Sequence, residues 1–241
     1  MLNDPLQVSV DKVDWTGLAI RRPDGRHFHV GLLYRAGKKV RIRHQCGHLD
    51  LKDEEASHPD DLWANITALS PLNKRLIANK LLRAGGDKVP YGIGYRTEGG
   101  YIDKKTMKYL LTDPGQGLTC STYIIAILET LGFAPFDRAT WKPTDEDTAW
   151  QTKMLDFQAA SHRDAKDHFE AEKVHIGEPR YRPDQVMATA FPEKWPVPHD
   201  TANEIAVEVV VSYEKMRPNQ LRPPPPTPPP ATSAVPRPGA R

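Results

Sequence analysis

The feature that most constrains this chain is a segment rich in glycine that changes abruptly into an apolar run. Residues 113–117 contain one proline and two glycines, and from Leu118 onward the sequence is largely apolar until Gly132. Because glycine and proline interrupt regular structure, the pattern predicts a buried helix that starts near Cys120 and ends at Gly132. Free backbone N–H groups and the helix dipole favour a thiolate at such a start, so Cys120 is a candidate nucleophile.

Composition restricts the class of protein. The 241 residues are 39% hydrophobic and 27% charged, which is typical of a globular domain, and the net charge of +2 does not favour nucleic acid binding. No run approaches the length of a membrane span, and no secretory signal is visible at the start. We therefore expect a cytoplasmic protein with two reduced thiols, Cys46 and Cys120, although a delivered effector remains open.

Patterning predicts a mixed α+β domain over residues 1–216. Strands are expected at 15–21, at 62–69 and in a β-hairpin formed by 27–34 and 39–45, with a loop over 52–61. Helices are expected from Pro71, from Cys120, from about 144 to 169, from Pro183 and after Asp200 or Thr201. Residues 217–241 hold many prolines, so we expect a disordered or polyproline II tail.

The hairpin offers a base for Cys120. His29 lies inside an apolar strand, where an ionisable group is costly unless it has a partner. If the turn contains two residues centred near Gly37, His29 and His44 point to the same face of the sheet. Two histidines on one face would let one ring act as the base while the other orients it. The alternative is that both are structural and that Cys120 is a buried core thiol.

These motifs resemble those of the circularly permuted papain-like hydrolases, which include NlpC-type amidases and relatives of lecithin retinol acyltransferase. The resemblance rests on His29-Val30-Gly31, on the hairpin that returns through His44, and on the later Cys120 at a helix start. It implies a small antiparallel sheet packed on the Cys120 helix, and it implies that Cys120 attacks the carbonyl of an amide. His29 would then be the general base and His44 the orienting residue, with no resident metal or cofactor.

Other residues remain candidates for parts of this site. His48 is an alternative orienting residue, and His175 is an alternative base because residues 174–177 resemble the His motif of unpermuted relatives, with Glu178 as its only partner. Cys120 N–H and Gln116 would stabilise the oxyanion. Tyr91 and Tyr95 are expected either to line the substrate cleft or to pack in the core. Acyl transfer from a lipid or thioester is the alternative within the same chemistry.

Two further function classes remain. His44, Cys46 and His48 alternate along the chain near His27 and His29, so they supply enough ligand atoms for zinc, although the spacing is not that of a zinc finger. A binding protein without catalysis is the other class, since residues 223–230 contain the PxxP pattern that SH3-like domains accept.

Overall fold

The computed structural model describes residues 1–95 and 99–218 and shows an α+β fold. Its five-stranded sheet has the order β4-β3-β2-β1-β5, and every neighbouring pair is antiparallel. The strands are β1 Thr16–Arg21, β2 His29–Ala36, β3 Lys39–Gly47, β4 Asp50–Glu55 and β5 Leu62–Asn65.

The β2–β3 hairpin confirms the predicted two-residue turn. Ala36 pairs with Lys39, and Gly37 between them has a φ of 65°, a conformation that glycine adopts without a steric penalty. The paired stretch runs as far as Leu32 and Arg43. Because the turn contains an even number of residues, His29 and His44 share a face of the sheet, as predicted.

Strand β4 corrects the predicted loop over residues 52–61. Its sequence is acidic, and acidic residues are depleted in strands. Here the basic side chains of β3 offset that preference, since Arg41 Nε donates to Asp53 Oδ1 at 2.7 Å and Lys39 Nζ donates to Glu55 Oε2 at 2.7 Å. Cross-strand charge pairing therefore decides an element that propensity alone does not predict.

Six α-helices are present in the described part of the chain: α1 Pro71–Leu81, α2 Cys120–Thr130, α3 Asp145–Ser161, α4 Lys166–Glu172, α5 Pro183–Ala188 and α6 His199–Met216. The capping residues Ser70 and Thr144 are confirmed. The expected helix to 169 instead stops at Ser161, because His162 leaves the helical region with φ −125° and ψ 73°. Helix α6 begins at His199 after Pro198, before the predicted cap.

The two faces of the sheet bury different partners. Helix α2 packs on the face that carries Val30 and Leu32, within the main core. The opposite face carries Leu33 and Ile42 in a smaller core, which the N-terminal segment around Val13 covers. Because side chains alternate along a strand, His29 belongs to the face of Leu33.

The C-terminal boundary of the folded part lies slightly beyond the prediction. Arg217, the first residue of the expected tail, is buried, and its guanidinium donates to both carboxylate oxygens of Asp4 at 2.9 Å. The rest of the predicted tail, including the PxxP pattern, lies outside the described residues. Within the described ranges, no helix is both long enough and apolar enough to cross a membrane.

Candidate functional site

Cys120 is the first residue of α2, and a capping box sets its position. Thr119 Oγ1 accepts the Thr122 N–H at 3.1 Å, and Thr122 Oγ1 accepts the Thr119 N–H at 2.8 Å. These two bonds satisfy donors that the helix start would otherwise leave free. The predicted helix start is therefore confirmed, and Cys120 lies half-buried in its first turn.

The resting state of Cys120 differs from the expectation. Burial raises the pKa of the Cys120 thiol, and the backbone N–H groups of Val30 and Ser121 only partly offset that effect. At Cys120, desolvation of the charged sulfur therefore outweighs the stabilisation of a thiolate by the helix start. A nucleophilic Cys120 has to lose its proton to a base.

His29 and His44 meet across β2 and β3. His29 Nε2 lies 2.7 Å from His44 Nδ1, and the His44 ring is fully buried. Burial and the neighbouring His44 lower the pKa of His29 to about 3, and burial together with Arg21 and Lys52 lowers the pKa of His44 to about 4. Both rings are therefore neutral near pH 7, the state in which a histidine accepts a proton.

Two further side chains complete this cluster. Cys46 Sγ lies 3.2 Å from His44 Nδ1, and His44 Nε2 lies 3.3 Å from Glu54 Oε1 on β4. Cys46 occupies an irregularity in the β3–β4 ladder, between the paired residues Gln45 and Gly47. Although Cys46 as a whole residue is exposed, its Sγ lies against the buried His44 ring, and the desolvation there raises the pKa of Cys46 to about 11, so its thiol is protonated at neutral pH.

The contact of Cys120 with β2 is made by the strand backbone and not by a histidine side chain. The Val30 N–H, next in the chain to His29, interacts with the Cys120 thiol and lowers its pKa. This approach occurs where the β2–β3 pairing has already ended at Leu32. Among the described residues, no hydrogen bond joins Cys120 Sγ to a histidine ring, and the His29 side chain starts from the opposite face of the sheet. The fold thus brings the Cys120 thiol to the residue adjacent to His29.

A loop packs over the segment that precedes Cys120, and we call residues 91–94 the clamped loop. Leu118 N–H donates to Pro90 O at 2.9 Å, and a Cβ added to Gly117 would lie 2.6 Å from the Tyr91 carbonyl carbon. A negatively charged Cys120 would raise the pKa of Tyr91 further, which places the phenol near the thiol. Of the two tyrosines predicted to line the cleft or pack in the core, Tyr91 is the one that lies beside Cys120.

Helix α4 holds the clamped loop in place. The buried Glu172 carboxylate accepts the Ile93 N–H at 2.7 Å and the Gly94 N–H at 3.3 Å. His168 Nε2 lies 2.7 Å from Tyr91 O, and the Gly115 N–H donates to His168 Nδ1 at 3.3 Å. One helix therefore fixes both the loop and the lead-in to Cys120.

His48 and His175 both lie against the clamped loop or the lead-in to Cys120. The His48 ring packs against His162 and His168, and its Nδ1 accepts the Tyr91 N–H at 3.4 Å, so it supports the clamped loop and does not contact His29. His175 ends a 3-10 helix, whereas the motif predicted a strand. Its Nδ1 does pair with the predicted partner, since Glu178 Oε1 lies 2.7 Å away.

The remaining predicted residues divide between site and core. Gln116 is half-buried four positions before Cys120, with no side-chain hydrogen bond recorded among the described residues. Tyr95 is buried near the other end of α2, where its hydroxyl donates to Glu129 Oε2 at 2.8 Å. Of the two interpretations considered for Tyr95, the structure supports core packing.

Two groups at the site are not predicted from the sequence. Glu54 falls in the expected loop over residues 52–61, and Glu172 lies beyond the helix expected to end at about 169, whereas Cys46 is already a candidate zinc ligand with His44 and His48 near His27 and His29. The arginine and lysine side chains of β3 were the available signal for an acidic partner strand. For Glu172 we find no comparable signal, because its partners are backbone N–H groups far along the chain.

Comparison with models of protein families, with curated proteins and with solved structures finds no match for this chain.

Proposed function

We propose that the protein is a papain-like cysteine hydrolase in permuted chain order that cleaves an amide. One observation carries the proposal: the thiol of Cys120, in the capped first turn of α2, lies against the N–H of Val30, and the adjacent His29 is paired with His44 at 2.7 Å. Thiol hydrolases require a nucleophile, a base that can reach it and a group that orients the base, and we assign these three roles to Cys120, His29 and His44.

The ring nitrogens of His29 have separate roles in this mechanism. Nε2 faces His44, which leaves Nδ1 for the Cys120 thiol. The ring has to reach round the end of β2 to meet Sγ, at a point where the pairing of β2 with β3 has already ended at Leu32. Catalytic contacts often tighten only when substrate binds.

The reaction begins when His29 Nδ1 takes the Cys120 proton while Sγ attacks the amide carbonyl. The oxyanion receives the Cys120 N–H and, in this proposal, the side chain of Gln116. His29 then gives the proton to the leaving amine, and an acyl-enzyme thioester remains. Water, deprotonated by the same ring, attacks the thioester and releases a carboxylic acid and the free thiol.

Both histidines are neutral near pH 7, so each ring has one nitrogen with a free lone pair. His44 is oriented by Glu54 through Nε2, so its Nδ1 can accept the N–H of His29. This bond sets the tautomer of His29 with the proton on Nε2, which leaves the lone pair of Nδ1 for the Cys120 thiol. A peptide, isopeptide or peptidoglycan-type amide is the proposed substrate class, and an acyl acceptor other than water would make the same site an acyltransferase.

Thiol labelling tests the proposal. An electrophilic thiol probe, applied near neutral pH with the modified residue identified by mass spectrometry, should modify Cys120 faster than a free cysteine. His29→Ala should slow this labelling by about 10²-fold or more, because a positioned general base contributes about 10²–10⁴-fold.

His27→Ala is the matched control, since His27 is exposed and pairs with Asp24 on the same approach to β2. It should label at the wild-type rate. Labelling of Cys120 that is no faster than that of an ordinary thiol, or that is unchanged in His29→Ala, would disprove the mechanism.

A further inference from the structure

Potential metal-ligand atoms of three side chains converge beyond the last paired residues of β2 and β3, Leu32 and Arg43. His29, His44 and Cys46 each offer one atom, and these atoms all lie within 4.8 Å of one another. The shortest separations are 2.7 Å between His29 Nε2 and His44 Nδ1 and 3.2 Å between His44 Nδ1 and Cys46 Sγ. Convergence of two imidazoles and a thiol is a geometry that structural packing alone does not require.

This ligand set suits a borderline-soft divalent cation. Zinc bonds of about 2.0–2.1 Å to nitrogen and about 2.3 Å to sulfur place tetrahedral ligand atoms about 3.3–3.6 Å apart. The two shortest separations would therefore have to widen by less than about 1 Å, and the separation of the His29 and Cys46 ligand atoms, at most 4.8 Å, would have to become about 3.6 Å. Three protein ligands leave the fourth position to water, and Cys46 is exposed, so the ion has a route from solvent.

The surroundings of His44 support the same assignment. A histidine that ligates a metal commonly donates its other ring N–H to a carboxylate, which fixes the tautomer and makes the ligating nitrogen more basic. Glu54 Oε1 stands in that position, 3.3 Å from His44 Nε2. The irregularity of the β3–β4 ladder at Cys46 also supports the metal site, because such an irregularity can turn a side chain toward its neighbours.

We propose that His29 Nε2, His44 Nδ1 and Cys46 Sγ form a zinc site in which Cys46 binds as the thiolate, its proton passing to solvent. If the function proposed above is correct, the ion also inhibits the enzyme reversibly, because it ties the ring of His29 away from Cys120. The site itself does not depend on the hydrolase assignment.

Metal titration of the full chain, stripped of metal, tests the site. Zinc should bind one-to-one in competition with a chromophoric chelator, and cobalt should give a thiolate-to-metal charge-transfer band. Cys46→Ala should abolish the band and weaken zinc binding by about tenfold or more, and His44→Gln should weaken it similarly, since loss of a ligand costs at least as much as loss of its supporting hydrogen bonds.

Cys120→Ala is the matched control and should keep both the band and the zinc affinity. Unchanged zinc affinity in Cys46→Ala, or a band that disappears in Cys120→Ala, would overturn the proposed ligand set.

A separate labelling experiment distinguishes the zinc site from the proposed hydrolase activity. Zinc should slow labelling of Cys120 in the wild-type chain and have little effect on the labelling of Cys46→Ala. Zinc that slows both equally would overturn the inhibitory role. Failure of the hydrolase would instead appear as His29-independent labelling in metal-free protein, with the titrations unaffected.

Discussion

Two groups of histidines lie near the start of α2, and their ring nitrogens face different partners. In the strand pair, His29 and His44 point nitrogens at each other, with Cys46 beside them. In the helix group, the His48 ring packs on His168 with centroids 5.0 Å apart, but the nitrogens of His168 face Tyr91 O and the Gly115 N–H. The rings touch in both groups, yet only the strand pair directs lone pairs at other side chains.

This difference distinguishes histidines that can take part in a reaction from histidines that stabilise the fold. A ring nitrogen engaged by the backbone is already satisfied and serves as a structural tie. A nitrogen that faces another titratable side chain can exchange a proton or bind a metal. Ring proximity is therefore a weak indicator of function, whereas the direction of the nitrogens is a strong one.

The sharpest test of this comparison is to remove one histidine from each group. His29→Gln should lower the rate of Cys120 labelling by about 10²-fold or more, because it removes the proton acceptor. His162→Gln, from the helix group, should stay within about threefold of wild type, since its ring only packs against His48 and Phe169. Equal losses in both variants would contradict the division.

The close packing of the clamped loop should make it intolerant of added volume. In Gly92→Ala, the new methyl would lie 2.6 Å from the Cα of Gly117, a contact that backbone can relieve only by shifting. We expect a loss of about 1–3 kcal/mol in the free energy of unfolding, measured by urea denaturation.

Gly86→Ala is the control, because an added Cβ there meets nothing within 4 Å. A Gly92→Ala variant as stable as Gly86→Ala would show that the loop is not held against the lead-in to Cys120.

Removing the buried carboxylate that ties the loop should have a similar or smaller effect. Glu172→Ala leaves the Ile93 and Gly94 N–H groups without their acceptor, which costs about 1–3 kcal/mol in unfolding free energy. Glu172→Gln keeps one oxygen acceptor and should recover part of that loss.

Glu170→Ala on the same helix removes an exposed ion pair with Lys173, so its unfolding free energy should stay close to that of wild type. If Glu170→Ala were the more destabilising substitution in denaturant titrations, the role given to Glu172 would be wrong.

The smallest expected effect is on the pH dependence of stability. Burial and the neighbouring His168 and His162 lower the pKa of His48 to about 4, below its ordinary value of 6.5. Between these values the unfolded chain binds more protons than the folded one, so stability increases as pH rises from about 4 to 6.5 and falls on acidification. His48→Gln should flatten this slope, measured as unfolding free energy across the same range.

His29 and His44 contribute in the same direction, so a slope remains in His48→Gln. An unchanged slope would mean that His48 is not held neutral by its surroundings.

Much of the fold could be predicted because its signals are local. Alternating residues and a two-residue turn around Gly37 specify the hairpin. Ser70 and Thr144 mark two helix starts, and the glycine-rich segment before Cys120 marks a third. Strand β4 was missed because its stability comes from charges on β3, which no propensity within residues 50–55 reports. The break at His162 was missed because charged residues continue on both sides of it.

The candidate site was predictable in part for the same reason. His29 and His44 are related by hairpin parity, so their pairing follows from the turn. The contribution of Cys46 depends on an irregularity in the ladder with β4, and that strand was not predicted. The protonated state of Cys120 depends on burial, which opposes the local effect of the helix terminus that the sequence displays.

The sequence by itself determined the cap that places Cys120 first in α2 and the parity that turns His29 and His44 toward one face. Both depend on interactions within a few residues or across one tight turn. Only the tertiary structure decided that α2 packs on the Val30 face, that the Cys120 thiol meets the Val30 N–H, and that Cys46 joins the two histidines. Those contacts join segments that are distant in the chain, and their geometry follows from how the helix and the strands pack, which residue periodicity does not encode.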